Sequence, residues 1–195
     1  MEDEDGKLAE RAAAGDAKAV EQLLEMHLPA LRAFVRLRAG AEVRAHESNS
    51  DIVQSVCREV LQNIERFKHP SPAAFKQWLY TTAMRKISNR AEYWRAEKRA
   101  GGRERPMPSE ADQLGLLRCY HSFSSPSRGL MVREEVARIE RAFEELTEEQ
   151  REIVTLAHVV GLSRAEIAEH VGKSEGAVRV TLHRALARLS DLLTE

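Results

Sequence analysis

The sequence predicts an all-α protein with two small helical domains, a four-helix domain and a helix-turn-helix domain, joined by a flexible linker. Apolar residues recur at spacings of three and four over most of the chain, and no stretch alternates convincingly between apolar and polar residues. Aromatic residues make up only 5% of the 195 residues, which is typical of helical cores built from Leu, Ala and Val. A proline-bearing stretch of low periodicity separates the two helical regions.

Residues 1–100 predict the four-helix domain. Asp16 is a suitable N-cap for an apolar stripe that starts at Val20 and is bent or interrupted at Pro29. Ser50 is expected to cap the next helix, whose apolar stripe comprises Ile52, Val53, Val56, Val60, Leu61, Ile64 and Phe67. Two prolines after His69 stop that helix, and a further helix runs from about Phe75 to the paired glycines at 101 and 102.

We expect residues 101–131 to form the linker and residues 132–195 to form the second domain. The linker contains three prolines and several serines. In the second domain, Thr147 and Gln150 form the capping box of a helix that stops at Gly161.

The strongest local signal is a helix-turn-helix between Leu162 and Leu189. Ser163 and Glu166 form a capping box, Gly172 supplies the tight turn, and Ser174 caps the second helix. The second helix carries a buried stripe made of Val178, Leu182, Ala185, Leu186 and Leu189. Polar residues remain for contact with DNA bases and phosphates: Lys173, Ser174, Glu175, Arg179, Thr181, His183 and Arg184.

The net charge of −1 hides an uneven distribution. Residues 1–25 hold eight acidic and three basic residues, and residues 133–152 hold eight acidic and four basic ones. Residues 75–105 hold nine basic and three acidic residues, and residues 170–188 hold four basic residues and one acidic residue. Two basic patches on a nearly neutral chain indicate two separate contacts with a polyanion. Because the acidic blocks and an inward packing of the domains would hide basic surface, we expect the free protein to bind DNA poorly.

Several classes of site and location are disfavoured. Cys57 and Cys119 lie far apart and without ligand partners, and the chain shows neither a phosphate loop nor a metal-ligand cluster. We therefore expect no cofactor and no metal. The N-terminus is acidic and no apolar run is long enough for a bilayer, so we expect a cytoplasmic protein without membrane insertion.

The first basic patch contains aromatic residues with two different expected roles. Trp78 shares an apolar stripe with Phe75 and Leu79, which favours core packing. Tyr93 and Trp94 lie beyond that stripe among arginines and lysines, where their rings could stack on unpaired bases or pack at the rim of the domain. The residues themselves leave both roles open.

Taken in order, these motifs resemble the extracytoplasmic-function (ECF) sigma factors of bacterial RNA polymerase, which belong to the sigma-70 family. Asp51-Ile52-Val53-Gln54 resembles the Asp-x-x-Gln that opens the family's polymerase-binding helix. The run Phe75-x-x-Trp78-Leu79-Tyr80-x-x-Ala83 resembles its promoter-melting helix, and Leu182-His183-Arg184-Ala185 resembles part of its last region. The resemblance covers nearly the whole chain and identifies residues 1–100 as sigma region 2 and residues 132–195 as sigma region 4.

The resemblance implies partners and roles. Region 2 would bind the clamp coiled coil of the largest subunit of core RNA polymerase through Asp51, Gln54, Ser55 and Arg58. It would also hold the melted downstream promoter element, called −10, through a base-capturing loop at residues 68–74 and through His69, Arg85, Arg90, Tyr93, Trp94, Arg95, Lys98 and Arg99. Region 4 would contact the polymerase flap and read the upstream element, called −35. An anti-sigma factor is a further partner implied, and no bond is made or broken by the protein itself.

Some positions depart from the family pattern. Ser55 stands where Glu is common, Asn89 where Asp is usual, Ala177 replaces a frequent Thr, and Thr181 replaces a frequent Arg. Met84-Arg85-Lys86 also differs from the usual Ala-Arg-Asn. The last two single replacements fall on the recognition helix, so we expect them to alter base preference rather than to abolish DNA binding.

Two other classes of protein end in a helix-turn-helix. A response-regulator or quorum-type transcription factor would carry an α/β receiver or ligand-binding domain in front, and the pattern shows neither. A DNA recombinase would need a nucleophilic Ser or Tyr among catalytic arginines on a larger mixed domain. Tyr93 has arginines nearby, but one amphipathic helix does not form such a pocket.

Overall fold

The computed structural model describes residues 2–100 and 130–194, with side chains at 4–97 and 135–194. Within these ranges the chain forms helices and no strand, which confirms the predicted all-α class. The predicted linker lies outside the described residues except for its last two, which already belong to a helix. None of the described helices is long and apolar enough to cross a membrane.

Five helices form the first domain. They are α1 (Glu2–Ala13), α2 (Ala17–Arg38), α3 (Gly40–Arg44), α4 (Asn49–Gln62) and α5 (Pro72–Ala100), with a 3-10 turn at Ile64–Arg66. Helix α2 lies at the centre, against α1, α4 and α5. Its Phe34 meets the ring of Tyr80 edge to face at 4.9 Å, and both side chains are fully buried. The long α5 is therefore anchored by its first half, and its second half extends beyond the core.

Two local predictions for this domain, the N-cap of α4 and the burial of Leu61, were wrong. The N-cap of α4 is Ser48, whose hydroxyl accepts a hydrogen bond from the Asp51 N–H at 3.1 Å, and Ser50 lies inside the helix. Helix α2 is not interrupted at Pro29, which was one of the two outcomes expected there. Leu61 is exposed and does not belong to the apolar stripe.

Four helices form the described part of the second domain. They are α6 (Leu130–Glu144), α7 (Glu148–Val154), α8 (Arg164–Val171) and α9 (Glu175–Thr194), and α7 continues into a π-helical turn at Thr155–Val160. The capping boxes at Thr147 and Ser163 are both present, as predicted. Gly161 and Gly172 end their helices with φ of 74° and 67°, a left-handed conformation that favours glycine.

The two domains pack against each other through α2. Its C-terminal half lies on the π-helical turn Thr155–Val160 of the second domain. Three ion pairs accompany this contact, and each joins an arginine of the first domain to a glutamate of the second: Arg36 with Glu140, Arg38 with Glu148, and Arg44 with Glu144. The structure thus packs the two domains against each other, with glutamates of the second domain on arginines of the first.

Candidate nucleic-acid interface

Helices α8 and α9 build a helix-turn-helix whose second helix presents a polar face. Ile167 and Ala168 of α8 are buried against α9, which itself buries Val178, Ala185 and Leu189. Ser174 caps α9 by accepting a hydrogen bond from the Ala177 N–H at 3.2 Å. Of the seven residues predicted to contact DNA, six are exposed and Thr181 is half-buried. The N-terminal half of α9 is consequently the accessible part of the motif.

A carboxylate that sequence reasoning missed holds two of these residues. Glu149 of α7 forms an ion pair with Lys173 at 2.6 Å, and the Thr181 hydroxyl lies 3.5 Å from the same carboxylate oxygen. The hydrogen bond from Lys173 lowers the pKa of Glu149 below its usual value. Across the described ranges, the side chains of Arg179, His183 and Arg184 have no such partner. The face therefore contains two residues held by Glu149 and three that are available to DNA.

The first basic patch is a row of cations along α5. Arg85 and Lys86 both pair with Glu59 of α4, the latter at 2.7 Å. Farther along, Arg90 lies 3.4 Å from Glu47 and Arg95 lies 3.5 Å from Glu42. Burial lowers the pKa of Lys86, and the nearby Arg90, Arg85 and Arg58 lower it further. The side chains of Lys98 and Arg99, two further predicted contacts, lie outside the described residues.

The structure gives different environments to Tyr93 and Trp94, the two aromatic residues whose role the sequence left open. Trp94 stacks on His46 with ring centroids 4.2 Å apart and planes inclined by 10°, and its indole N–H donates to Glu47 at 2.8 Å. Tyr93 is 54% exposed and touches Trp94 edge to face. Tyr93 therefore offers a ring face for stacking, whereas Trp94 is fixed by packing.

Trp78 packs as the sequence predicted. Its ring stacks on Phe67 at 5.6 Å and meets Phe75 edge to face at 6.2 Å. These contacts tie the start of α5 to the segment that precedes it. The loop predicted at residues 68–74 is shorter in the structure, because α5 already begins at Pro72, and residues 68–71 are held at both ends.

The predicted base-capturing loop faces the helix-turn-helix of the other domain. His69, Ser71, Ala74 and Gln77 line one side of a cleft of about 340 Å³, and Leu162, Glu166 and Glu169 line the other. His69 itself is exposed. Glu166 and Glu169 of α8 form part of the second domain's wall of this cleft, so a DNA strand at the loop would compete with the second domain for space.

Helix α4 presents the residues predicted to bind polymerase on one face. Asp51, Gln54 and Arg58 are exposed at spacings of three and four residues, and Ser55 is half-buried beside them. Asp51 also accepts a hydrogen bond from the Ser48 hydroxyl at 2.7 Å, so it stabilises the start of the helix. The exposed Leu61 continues the same face. This apolar member was missed because the sequence pattern placed it in the core.

Comparison with known proteins gives the class that this fold and these surfaces define. Residues 23–100 match the family model described as Sigma-70 region 2, and residues 137–189 match Sigma-70, region 4. Together the two matches show a sigma factor of RNA polymerase. The described residues hold no cluster of potential metal ligands.

Curated relatives then show the subfamily. The ECF RNA polymerase sigma factor SigD of Mycobacterium tuberculosis is 35% identical over 180 residues, which cover 92% of this chain and 79% of SigD. ShbA of Streptomyces griseus, also an ECF RNA polymerase sigma factor, is 33% identical over 195 residues, covering 96% of this chain and 94% of ShbA. The chain belongs to the ECF RNA polymerase sigma factors.

Solved structures agree with this assignment. CnrH, in complex with the cytosolic domain of CnrY, superposes with a TM-score of 0.63 at 25% identity, covering 97% of both chains. RpoE of Bartonella quintana, in complex with the anti-sigma factor NepR, superposes with a TM-score of 0.56 at 20% identity, covering 89% of this chain and 96% of RpoE. The second likeness supports the fold. As a sigma factor, the protein is a non-enzymatic initiation factor that directs transcription by RNA polymerase from specific promoters.

Proposed function

We propose that the chain holds a promoter at two points: residues 132–195 read the −35 element, and residues 1–100 hold the melted −10 element. The observation that carries this proposal is the accessible half of α9, where Arg179, His183 and Arg184 are exposed and have no partner across the described ranges. Arginine donates two hydrogen bonds to guanine in the major groove, and a helix of this kind fits that groove. The surface also includes Lys173, Ser174, Glu175 and Thr181. Lys173 and Thr181 would first have to be released from Glu149.

On the downstream side, α5 supplies phosphate contacts and a stacking platform. Arg85, Arg90 and Arg95 lie along one helix, and Lys98 and Arg99 follow them in sequence. Glu59, Glu47 and Glu42 keep three of these cations extended in the absence of DNA, so the strand's phosphates would replace carboxylates already in place. Tyr93 stacks on an unpaired base, Trp94 positions the segment through His46 and Glu47, and His69 borders the base-capturing loop.

The polymerase contact is the face of α4 formed by Asp51, Gln54, Ser55 and Arg58, with Leu61 as its apolar member. An exposed leucine flanked by polar residues is typical of interface centres, where an apolar contact provides affinity and a polar rim provides register. This face would bind the clamp coiled coil of the largest subunit. The second domain would bind the flap.

The closed packing of the domains is proposed as the state of the free protein in the cytoplasm. In this packing residues of the second domain form one wall of the cleft at the base-capturing loop. Binding to polymerase separates the domains and spaces them for two promoter elements. An anti-sigma factor is a further proposed partner, since RpoE is described in complex with the anti-sigma factor NepR and CnrH in complex with the cytosolic domain of CnrY.

Transcription by purified core polymerase tests the proposal. Core polymerase with this protein is incubated with genomic DNA fragments, and transcript starts are mapped. We expect starts that share sequence elements at −10 and −35 and that are absent without the protein. Tight, sequence-specific binding to duplex DNA by the free chain, without any stimulation of polymerase, would instead favour a repressor-like transcription factor.

A further inference from the structure

An apolar side chain stands on the face of α9 that lies opposite the core. Val180 is 44% exposed and lies in the N-terminal half of the recognition helix. Each residue of an α-helix turns by about 100°, so Val180 points away from the buried Val178, and from Ala185 and Leu189 on the same side. Among the described residues of the second domain, no contact explains an apolar residue here. The polar residues that the sequence predicted to contact DNA do not include Val180.

Gly176 lies one turn before Val180 on the same face. Its φ is outside the left-handed region, and a Cβ built there would meet only the Ser174 hydroxyl oxygen, at 3.9 Å. Neither backbone conformation nor packing therefore requires glycine, which is a poorer helix former than alanine. The missing side chain leaves bare backbone beside Val180, where a bulky body could approach closely. Ala177, which is also exposed, adds little bulk.

The surroundings of this patch carry charge suited to DNA. Arg179 and Arg184 are exposed on either side of Val180 along the helix. Thr181 and Lys173 are drawn toward Glu149, so neither covers the valine. An apolar side chain flanked by arginines on a recognition helix fits a methyl group in a polyanionic groove better than it fits the apolar surface of a protein partner.

We propose that Val180 is a specificity-determining residue that packs against the 5-methyl group of a thymine in the −35 element. This inference rests on the proposed role of α9. Thymine alone presents a methyl group in the major groove, and the isopropyl group of valine cannot hydrogen-bond to any base. Val180 therefore selects one A·T pair by apolar contact. Because Gly176 has no side chain, the DNA can approach the helix backbone closely beside Val180.

Deoxyuridine substitution tests the contact directly, because it removes the thymine methyl and leaves base pairing intact. Holoenzyme first selects a −35 element from a template library randomised in that region. Each thymine of the selected element, on either strand, is then replaced singly by deoxyuridine, and the rate of open-complex formation is measured. We expect about a 3- to 5-fold loss at one thymine, the size of one lost methyl contact, and about the same loss for Val180→Ala on the unmodified template.

The decisive quantity is the non-additivity of the two changes. With Val180→Ala, deoxyuridine at that position should cause no further loss, whereas Val180→Thr, which keeps one methyl group, should retain part of the sensitivity. Met26→Ala removes an equally exposed apolar side chain from α2 and should leave the deoxyuridine effect unchanged. Thermal unfolding midpoints equal to that of the unmodified protein show that the variants fold.

Three results would overturn the inference. The first is that the deoxyuridine and Val180→Ala losses in the rate of open-complex formation multiply, and the second is that deoxyuridine has no effect at any thymine of the element. The third is a Val180→Ala loss of equal size on all templates, which would indicate a contact with protein. Failure of the proposed function gives a different result: open-complex formation would then be indifferent to every base pair of the −35 region. In that case the α9 assignment fails as a whole, and not only the role of Val180.

Discussion

Arg38 of α2 and Glu148 of α7 form an ion pair between the two domains in which only the cation is buried. The Arg38 side chain is 1% exposed and that of Glu148 is 70% exposed. Arg38 donates to the Glu148 carboxylate at 2.5 Å and to its backbone carbonyl at 3.3 Å. Burial lowers the pKa of Arg38, and Glu148 and Glu152 oppose that shift. The closed packing thus depends on carboxylates that compensate a desolvated guanidinium.

Replacing Glu148 by Ala should open the domain contact. A guanidinium left buried without its partner is costly, and separation of the domains would return it to water. Because Glu148 is largely exposed, we expect a shift on the order of 1 kcal/mol toward the open form, well below the full cost of breaking a buried pair. Small-angle X-ray scattering should show a larger radius of gyration. Glu145→Ala, which removes a nearby carboxylate that pairs only with Arg188 at 4.0 Å among the described contacts, is the matched control.

Tyr93 and Trp94 should respond differently to substitution. Tyr93→Ala removes an exposed ring, so we expect weaker binding of single-stranded −10 DNA by holoenzyme, by about 1–3 kcal/mol, with an unchanged unfolding midpoint. Trp94→Phe loses the hydrogen bond to Glu47, so we expect a lower unfolding midpoint and a smaller effect on the strand. Fluorescence anisotropy and thermal melts measure both. The reverse pattern would reassign the stacking role to Trp94.

Gln54→Ala combined with Leu61→Ala should weaken polymerase binding. Both side chains are exposed on α4, so their truncation should leave stability nearly unchanged. We expect at least about a tenfold loss of affinity for core polymerase, measured by competition with the unmodified protein. Asp51 is left intact because it also accepts the Ser48 hydrogen bond that supports the helix start. If the double variant competes for core polymerase as well as the unmodified protein does, this face does not bind polymerase. Gln22→Ala on α2 is the control for loss of an exposed glutamine.

Arg179→Ala should affect one base position of the −35 element. If Arg179 donates to a base, the cost is about 1–3 kcal/mol at that position and small elsewhere. A uniform loss over all −35 sequences would make it a phosphate contact instead. Initiation rates on single-base-pair variants of the selected element measure this. Arg188→Ala is the control, since Arg188 lies farther along α9 and donates to the Glu145 carbonyl at 3.3 Å.

The local features of the fold were predictable from the sequence because they depend on residues three or four positions apart. The capping boxes at Thr147 and Ser163 and the positive φ of Gly161 and Gly172 are all of this kind. Spacing did not distinguish Ser48 from Ser50 as the N-cap of α4, because both serines precede the same apolar stripe.

The contacts between distant segments were not predictable in the same way. Nothing near Arg38 indicates Glu148, 110 positions later, and nothing near Trp94 indicates the ring of His46. For the same reason the sequence assigned Leu61 to the core and overlooked Glu149 beneath the recognition helix. The polar surface of α9 could be predicted from periodicity, whereas the partners that hold Lys173 and Thr181 required the packed structure.

Stability of the first domain should decrease below about pH 6.5 because of His27. Its ring stacks on Phe75 at 5.8 Å, and burial lowers its pKa below the usual value of 6.5. Lys76 lowers the pKa further, while Asp5 acts in the opposite direction. The folded state therefore favours the neutral ring. The unfolded chain takes up a proton first as the pH falls, so the stabilisation is complete above pH 6.5 and is lost as the pH falls toward the lowered pKa.

Replacing His27 by Gln should accordingly flatten the dependence of the unfolding midpoint on pH between about 7 and 5. His158 of the second domain, whose pKa burial also lowers, contributes in the same direction to the unfolding of the whole protein. His27→Gln should therefore remove only part of the slope and the double variant with His158→Gln more of it. Asp16 and Glu166 have lowered pKa values and lose their stabilisation only in a more acidic range, which separates their effect from that of the histidines. His183→Gln removes an exposed histidine from α9 and serves as the control. A slope that His27→Gln leaves unchanged would show that the ring is as well hydrated in the folded state as in the unfolded chain.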